Sequence, residues 1–97
     1  MFLAEAGGRV LGFAVVLPRE YGDAELDGLF VEPDAWRRGI GAALVAEAVR
    51  RGRACGSRAL HVVANARAVP FYERCGFERV GEGMTRFAPA PLMRLRL

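Results

Sequence analysis

The amino-acid sequence predicts one small α/β domain in which a single mixed, mostly antiparallel sheet carries two helices. Apolar periodicity changes along the chain in the order three strands, a helix, a strand, a helix and two strands. A strand that returns to the sheet after a helix predicts a parallel pair inside that sheet. The length of 97 residues and the composition, 53% hydrophobic and 26% charged, suit one globular core, so we treat residues 1–97 as a single domain.

The chain opens with three strand patterns. The segments "FLAEA" and "RVLGFAVVL" are strand-like, and Gly7 and Gly8 between them suit the positive φ angles of a two-residue hairpin turn. A third strand is predicted over Ala24–Val31, where "AELDGLFV" is closed by Glu32 and Pro33.

A helix is predicted over Gly39–Ala54, because apolar residues recur there on one side at helical spacing. Gly52 and Gly56 are expected to weaken it and then to end it. The following segment, "RALHVVA", is apolar on both faces, which is typical of a central strand.

The second helix is predicted across "RAVPFYERC", beginning near Arg67 with Pro70 in its first turn and ending at Gly76. Proline is tolerated there because the amides of a first helical turn have no partner within the helix. The last two strands are predicted over "FERVGEGMTRF" and "PLMRLRL"; the second alternates apolar residues with arginine, as a half-buried strand does.

Composition and charge exclude several classes of function. The net charge is +3, and the fourteen basic residues, all arginines, are interleaved with eleven acids, which argues against a nucleic-acid partner. The longest apolar run, Val10–Leu17, is far shorter than the roughly 20 residues of a membrane-spanning helix, and no signal peptide is visible. Cys55, Cys75 and a single histidine predict two free thiols and no metal site. We therefore expect a cytoplasmic protein without a membrane partner.

One segment, "WRRGIGAAL", suggests an anion site. It places Gly39 and Gly41 at the start of the first predicted helix, where amides without partners and the helix dipole favour a phosphate. Arg37 and Arg38 add guanidinium groups that match phosphate geometry. A tight turn without a ligand is an equal alternative on this segment alone. A Walker A loop is excluded because the chain has no lysine, and a dinucleotide fingerprint requires glycine at the position of Leu44.

A second motif, "NARAVPFYERCGFERVGE", follows the central strand. Taken with "RRGIG" upstream, it resembles the GNAT superfamily of acetyl-CoA-dependent N-acetyltransferases, and the resemblance covers nearly the whole chain. It implies a shortened GNAT-like fold with a splayed parallel pair, and acetyl-CoA as co-substrate with no metal. The family's glycine loop binds the pyrophosphate of coenzyme A, and the pantetheine arm lies in the splay. Carried over to this chain, the implied cofactor-binding residues are Leu29, Phe30, Val31, Arg37, Arg38, Gly39, Ile40, Gly41, Ala42 and Asn65.

The resemblance also implies catalytic residues. Tyr72 occupies the family's position for the proton donor to the departing thiolate, and a phenol of pKa about 10 keeps its proton at neutral pH. Glu25 lies where some members keep a general base. Each has a structural alternative: Tyr72 as a core aromatic, and Glu25 as a carboxylate in solvent. Asn65 could equally be a turn or helix-capping residue. His61, within a strand, is interpreted as structural.

Two features depart from the family pattern. Trp36 stands at the family's Gln/Arg position; it could pack under the anion site or cover an adenine ring. Family members usually begin with a strand and two helices ahead of the hairpin that opens this sequence. The function predicted is acetyl transfer to a primary amine of a small molecule or peptide, by direct attack in a ternary complex. The alternatives are a non-catalytic acyl-CoA-binding module and a subunit that needs a partner chain. An apolar sheet face left open predicts a homodimer or such a partner.

Overall fold

The computed structural model describes residues 1–19, 22–84 and 88–97 and shows one six-stranded sheet with two helices. The sheet order is β1-β2-β3-β4-β6-β5, with β3 and β4 parallel and every other neighbouring pair antiparallel. This confirms the predicted fold class. The elements are β1 (Phe2–Ala6), β2 (Arg9–Pro18), β3 (Ala24–Val31), α1 (Ile40–Ala54), β4 (Ala59–Val63), α2 (Val69–Arg74), β5 (Glu78–Met84) and β6 (Pro89–Arg96).

The parallel pair separates along its length. β3 and β4 are paired only at Ala24 with Leu60 and at Glu25 with His61. β2, by contrast, stays paired with β3 as far as Val31. Because the last residues of β3 have a strand on one side only, the two parallel strands diverge toward their carboxyl ends. The predicted splay is therefore present.

A β-bulge lies in the middle of β3. Val15 of β2 pairs with Gly28 and the next residue, Val16, pairs with Leu26, so Asp27 has no partner of its own. The bulge changes the alternation of the strand. Residues 24 and 26 face the helices before it, and residues 29 and 31 do so after it.

Both helices pack on one face of the sheet, where they share a single core. Leu44 and Ala48 of α1 and Tyr72 of α2 are buried in the same cluster as Leu60 of β4 and Met93 of β6. The two helices approach each other at Gly41, where a Cβ would lie 3.2 Å from the Phe71 ring. No helix of the described residues is long and apolar enough to cross a membrane.

The opposite face of the sheet carries no helix from the described residues and exposes apolar side chains. Leu3, Leu17, Phe30 and Val63 are 43–49% exposed, and the rings of Phe13 and Phe30 stack at 5.6 Å. We refer to this surface as the open face.

Several predicted boundaries are confirmed and others shift for identifiable reasons. The hairpin turn has φ +59° at Gly7 and +78° at Gly8, as predicted. The first helix continues through Gly52 to Ala54, where it was predicted to end, and a Cβ on Gly52 would lie 2.7 Å from the Cδ1 atom of Leu97. Gly56, with φ +77°, follows the end of the helix.

The second helix begins at Val69, two residues later than predicted. The side chain of Asn65 accepts a hydrogen bond from the Ala68 amide at 2.9 Å, which stabilises a 3-10 turn over Ala66–Ala68 ahead of the helix. Pro70 lies in the first turn of α2, as predicted. The end of the predicted strand "FERVGEGMTRF" lies outside the described residues, and the last strand begins at Pro89 rather than Pro91.

Candidate functional site

A groove of about 890 Å³ opens where β3 and β4 diverge. It lies between the carboxyl end of β3, the beginning of α1 and the segment that leads into α2. All the predicted cofactor-binding residues except Arg38 line it, and Ala35, Trp36, Arg67, Ala68, Phe71 and Arg74 complete the lining. Two motifs that are far apart in the sequence therefore form opposite sides of one groove. We call the side formed by the start of α1 the first bank, and the side formed by Asn65 and the segment leading into α2 the second bank.

The first bank is the amino end of α1. Gly39, with φ +77°, precedes the helix, and the first helical hydrogen bond runs from the Ala43 amide to the Gly39 carbonyl at 3.0 Å. Across the described chain, none of the backbone hydrogen bonds of loops and turns is donated by an amide of residues 38–42. The first turn of α1 also contains no acidic residue. Free amides at the positive end of a helix dipole favour an anion, and we refer to this group of amides as the anion cradle.

The loop before the cradle has an unusual backbone. Arg37 adopts a left-handed conformation with φ +65°, the only non-glycine residue in the described chain to do so. An L-residue held there costs about 1–2 kcal/mol, so the surrounding loop must impose the conformation. Arg37 lines the groove, whereas Arg38 is exposed outside it.

The second bank begins at Asn65. Its side chain caps the 3-10 turn, as one of the two alternatives predicted, and the residue also lines the groove. Sequence reasoning missed Arg67 and Arg74 on this bank. Their separation of seven residues, two turns of a helix, is the signal that could have placed them on one side.

The groove is positively charged. Arg37, Arg67 and Arg74 line it, and none of the described residues of the lining is acidic. Among the described residues, the ion pairs of the protein use other arginines. The three guanidinium groups create a positive electrostatic potential in the groove, and this potential attracts an anionic ligand.

Trp36 stands at the mouth of the groove, beside the cradle rather than beneath it. Its side chain is 63% exposed, and its indole Nε1 donates a hydrogen bond to the Val31 carbonyl at 2.9 Å. Packing under the cradle, one of the two sequence alternatives, is thereby excluded.

Tyr72 is buried in the core behind the groove. It is 6% exposed and lies edge-on to Phe71, whose ring centroid is 5.2 Å away, and to Phe77 at 5.3 Å. Phe71 lines the groove and Tyr72 does not. Burial, with a smaller contribution from Cys75, raises the pKa of Tyr72, so its hydroxyl keeps its proton at neutral pH.

Glu25 is half-buried at the closed end of the parallel pair, opposite His61, and does not line the groove. His61 Nε2 lies 2.9 Å from Asp23 Oδ2, and this hydrogen bond lowers the pKa of Asp23 more than any other contact does. His61 is thus a hydrogen-bonded strand residue, in agreement with its structural interpretation. Cys55 and Cys75 are free thiols, and within the described ranges no three His, Cys, Asp or Glu side chains are grouped to hold a metal ion.

The sheet that splays beside an anion cradle places the protein in the class of acyltransferase folds. The sequence matches the profile of the Acetyltransferase (GNAT) family over residues 1–77, and the chain belongs to that family. The fold and the family recognised from the two sequence motifs are thereby confirmed.

Individual relatives agree. An uncharacterised N-acetyltransferase of Methanocaldococcus jannaschii is 35% identical over an alignment 88 residues long, and the match covers 79% of this chain and 38% of that protein. A crystal structure described as a GNAT-family acetyltransferase from Desulfovibrio desulfuricans is 27% identical with a TM-score of 0.85, covering 97% of this chain and 65% of its own. An aminoglycoside 6'-N-acetyltransferase complexed with coenzyme A shares the fold at 17% identity and TM-score 0.89, over 97% of this chain and 70% of its own. The present chain therefore spans well under half of the curated relative and about two thirds of these solved chains.

Proposed function

We propose that the protein is an N-acetyltransferase that transfers the acetyl group of acetyl-CoA to a primary amine of a small molecule or peptide, by direct attack in a ternary complex. The observation that carries the proposal is the single groove in which the anion cradle of α1 meets the splayed end of β3. Membership of the GNAT family and the coenzyme A held by the aminoglycoside acetyltransferase support it.

The groove residues fit coenzyme A. The amides of residues 38–42 and the guanidinium groups of Arg37 and Arg38 would hold the pyrophosphate. The backbone of Leu29–Val31 lacks a strand on its β4 side and would hydrogen-bond the pantetheine amides, with Asn65 on the other bank. When bound, acetyl-CoA supplies the thioester whose acetyl carbon the amine attacks.

Two side chains would move protons. The acceptor amine must lose a proton before it can attack, since an alkyl ammonium has a pKa of about 10.4, and Glu25 at the apex of the splay would accept it. Tyr72 would donate a proton to the departing thiolate, because burial keeps its hydroxyl protonated. For this step α2 must rotate or shift so that the Tyr72 hydroxyl reaches the groove, since Phe71 and not Tyr72 lines the groove in this structure.

A second candidate is a non-catalytic acyl-CoA-binding module, or a subunit completed by a partner chain. The apolar side chains of the open face favour it, because a lone monomer rarely leaves such a surface in water. We expect a homodimer or a partner chain in either case. A monodisperse monomer in light scattering at micromolar concentration would argue against association.

The test has two stages. Thermal unfolding with increasing acetyl-CoA should show stabilisation, about 2.7 kcal/mol at a hundred times the dissociation constant, and no shift at millimolar ligand would overturn the proposal. Release of coenzyme A with a panel of amines then separates an enzyme from a binding module. A cytoplasmic location, where acetyl-CoA is available, is part of the same proposal and agrees with the two free thiols.

A further inference from the structure

Trp36 is held in one position although its side chain stays in solvent. The indole Nε1 donates to the Val31 carbonyl at 2.9 Å, the backbone amide donates to the Pro33 carbonyl at 3.3 Å, and 63% of the residue remains exposed. Fixing an aromatic side chain costs rotamer entropy, which burial of the ring usually offsets. Here most of the ring is not buried, so its exposed surface is available to a ligand.

A capping role alone does not explain the residue. The hydrogen bond to Val31 needs only an N–H group, which smaller polar side chains also provide. The bond does, however, fix the plane of the indole at the groove wall. The ring is thereby pre-organised as a flat surface beside the anion cradle.

The surroundings of the ring match a nucleotide. Arg37 follows Trp36 directly, Arg67 and Arg74 line the facing bank, and no acidic side chain lines the groove within the described part of the chain. Purine rings stack on exposed aromatic side chains, and guanidinium groups bind phosphates. Coenzyme A ends in an adenosine that carries a 3'-phosphate in addition to the pyrophosphate.

We propose that Trp36 is the platform on which the adenine ring of coenzyme A stacks, and that Arg67 and Arg74 attract the adenosine phosphate across the groove. This inference rests on the proposed function, because it assigns the nucleotide end of the same cofactor. In this role Trp36 makes a stacking contact with the cofactor at the position where the family pattern has a polar Gln or Arg side chain.

The single tryptophan of the chain makes the site directly observable. Three ligands divide coenzyme A into parts: the whole molecule, 4'-phosphopantetheine without the adenosine, and adenosine 3',5'-bisphosphate without the pantetheine. Coenzyme A and the bisphosphate should change the tryptophan emission, and 4'-phosphopantetheine should leave it unchanged. The same emission change with 4'-phosphopantetheine, or none with coenzyme A bound, would overturn the inference.

Two variants separate stacking from capping. Trp36→Ala should weaken coenzyme A binding about 10-fold, and Trp36→Phe, which keeps a ring but loses the N–H, about 3-fold or less. Binding of 4'-phosphopantetheine, followed by calorimetry, should be the same in both variants and the wild type. If Trp36→Phe is as damaging as Trp36→Ala, or if 4'-phosphopantetheine weakens in parallel, Trp36 acts only by holding the end of β3.

The outcomes also distinguish this inference from the proposed function. Coenzyme A that binds the wild type and Trp36→Ala equally removes the adenine platform and leaves the acetyltransferase proposal standing. Failure of coenzyme A to bind the wild type overturns both. Thermal unfolding of each variant without ligand verifies that differences in affinity come from folded protein.

Discussion

The two ends of the β3–β4 pair are built in opposite ways. At the closed end the strands pair at Glu25 and His61, and His61 is hydrogen-bonded to Asp23. At the open end the strands have separated, the amides that begin α1 are free, and the described lining residues include three arginines and no acid. At the closed end His61 and Asp23 hydrogen-bond each other, whereas at the open end the described amides of residues 38–42 have no backbone partner. Backbone and side-chain groups that can bind a ligand are therefore found where β3 and β4 no longer pair with each other.

The largest expected effect comes from Tyr72, which lies in the core behind the groove of the open end. Tyr72→Phe removes only the hydroxyl that would protonate the thiolate, so turnover should fall roughly 10²–10⁴-fold. Affinity for acetyl-CoA, measured by calorimetry, should stay the same, because Tyr72 does not line the groove. Unchanged turnover would return Tyr72 to the role of a core aromatic.

The next effect concerns Glu25, the last residue of β3 that pairs with β4 at the closed end. Glu25→Gln should lower turnover on the order of 10²-fold and remove one ionisation from the pH dependence of kcat/KM, because an amide cannot accept the amine proton. Asp27→Asn, in the exposed bulge of the same strand, is the matched control. A pH profile identical to that of the wild type would exclude Glu25 as the base.

Substitutions at two glycines separate the contribution of the anion cradle to binding from the cost of backbone strain. Gly39 and Gly8 have nearly equal φ angles, +77° and +78°, and a Cβ at either would meet no atom within 4 Å. Alanine at each should therefore cost a similar 1–2 kcal/mol or so of unfolding free energy in urea. Only Gly39→Ala should weaken coenzyme A binding, about 10-fold, because its methyl group lies beside the anion donors. Equal affinity in the two variants would remove Gly39 from the site.

The smallest effect belongs to the closed end. The folded protein holds the pKa of Asp23 below its ordinary value, chiefly through the hydrogen bond to His61. A lowered folded pKa stabilises the protein above about pH 4 and loses that contribution as the pH falls through the folded pKa. Asp23→Asn should thus be less stable than the wild type at pH 7, and the difference should vanish in strong acid. A difference that does not depend on pH would mean that the carboxylate charge contributes nothing.

The sequence predicted the elements well and the side-chain positions less well. Periodicity and glycine placement identified the hairpin, both helices and the parallel pair because these features are encoded locally. The start of α2 shifted because the side chain of Asn65 stabilised a turn that periodicity does not report. The approach of Leu97 to Gly52 could not be predicted from the helix pattern, because the two residues are far apart in the sequence.

The same distinction holds in the site. The resemblance identified nine of the fifteen described residues that line the groove, most of them in the continuous stretches at the end of β3 and the start of α1. The burial of Tyr72 and the arginines of the second bank depend on how α2 packs against α1. That packing is set by contacts such as Gly41 with Phe71, which no local pattern contains.

The bulge at Asp27 divides β3 into two segments whose inward-facing residues have opposite parity. If Asp27 instead paired in a regular ladder, every residue beyond it would exchange faces: Phe30 would turn toward the core, and Leu29 and Val31 would turn toward the open face. Deleting Asp27 would leave these faces as they are, because the shortened strand would alternate regularly from Ala24 to Val31. The bulge therefore keeps the wall of the groove in place although β3 contains one residue more than regular pairing with β2 requires.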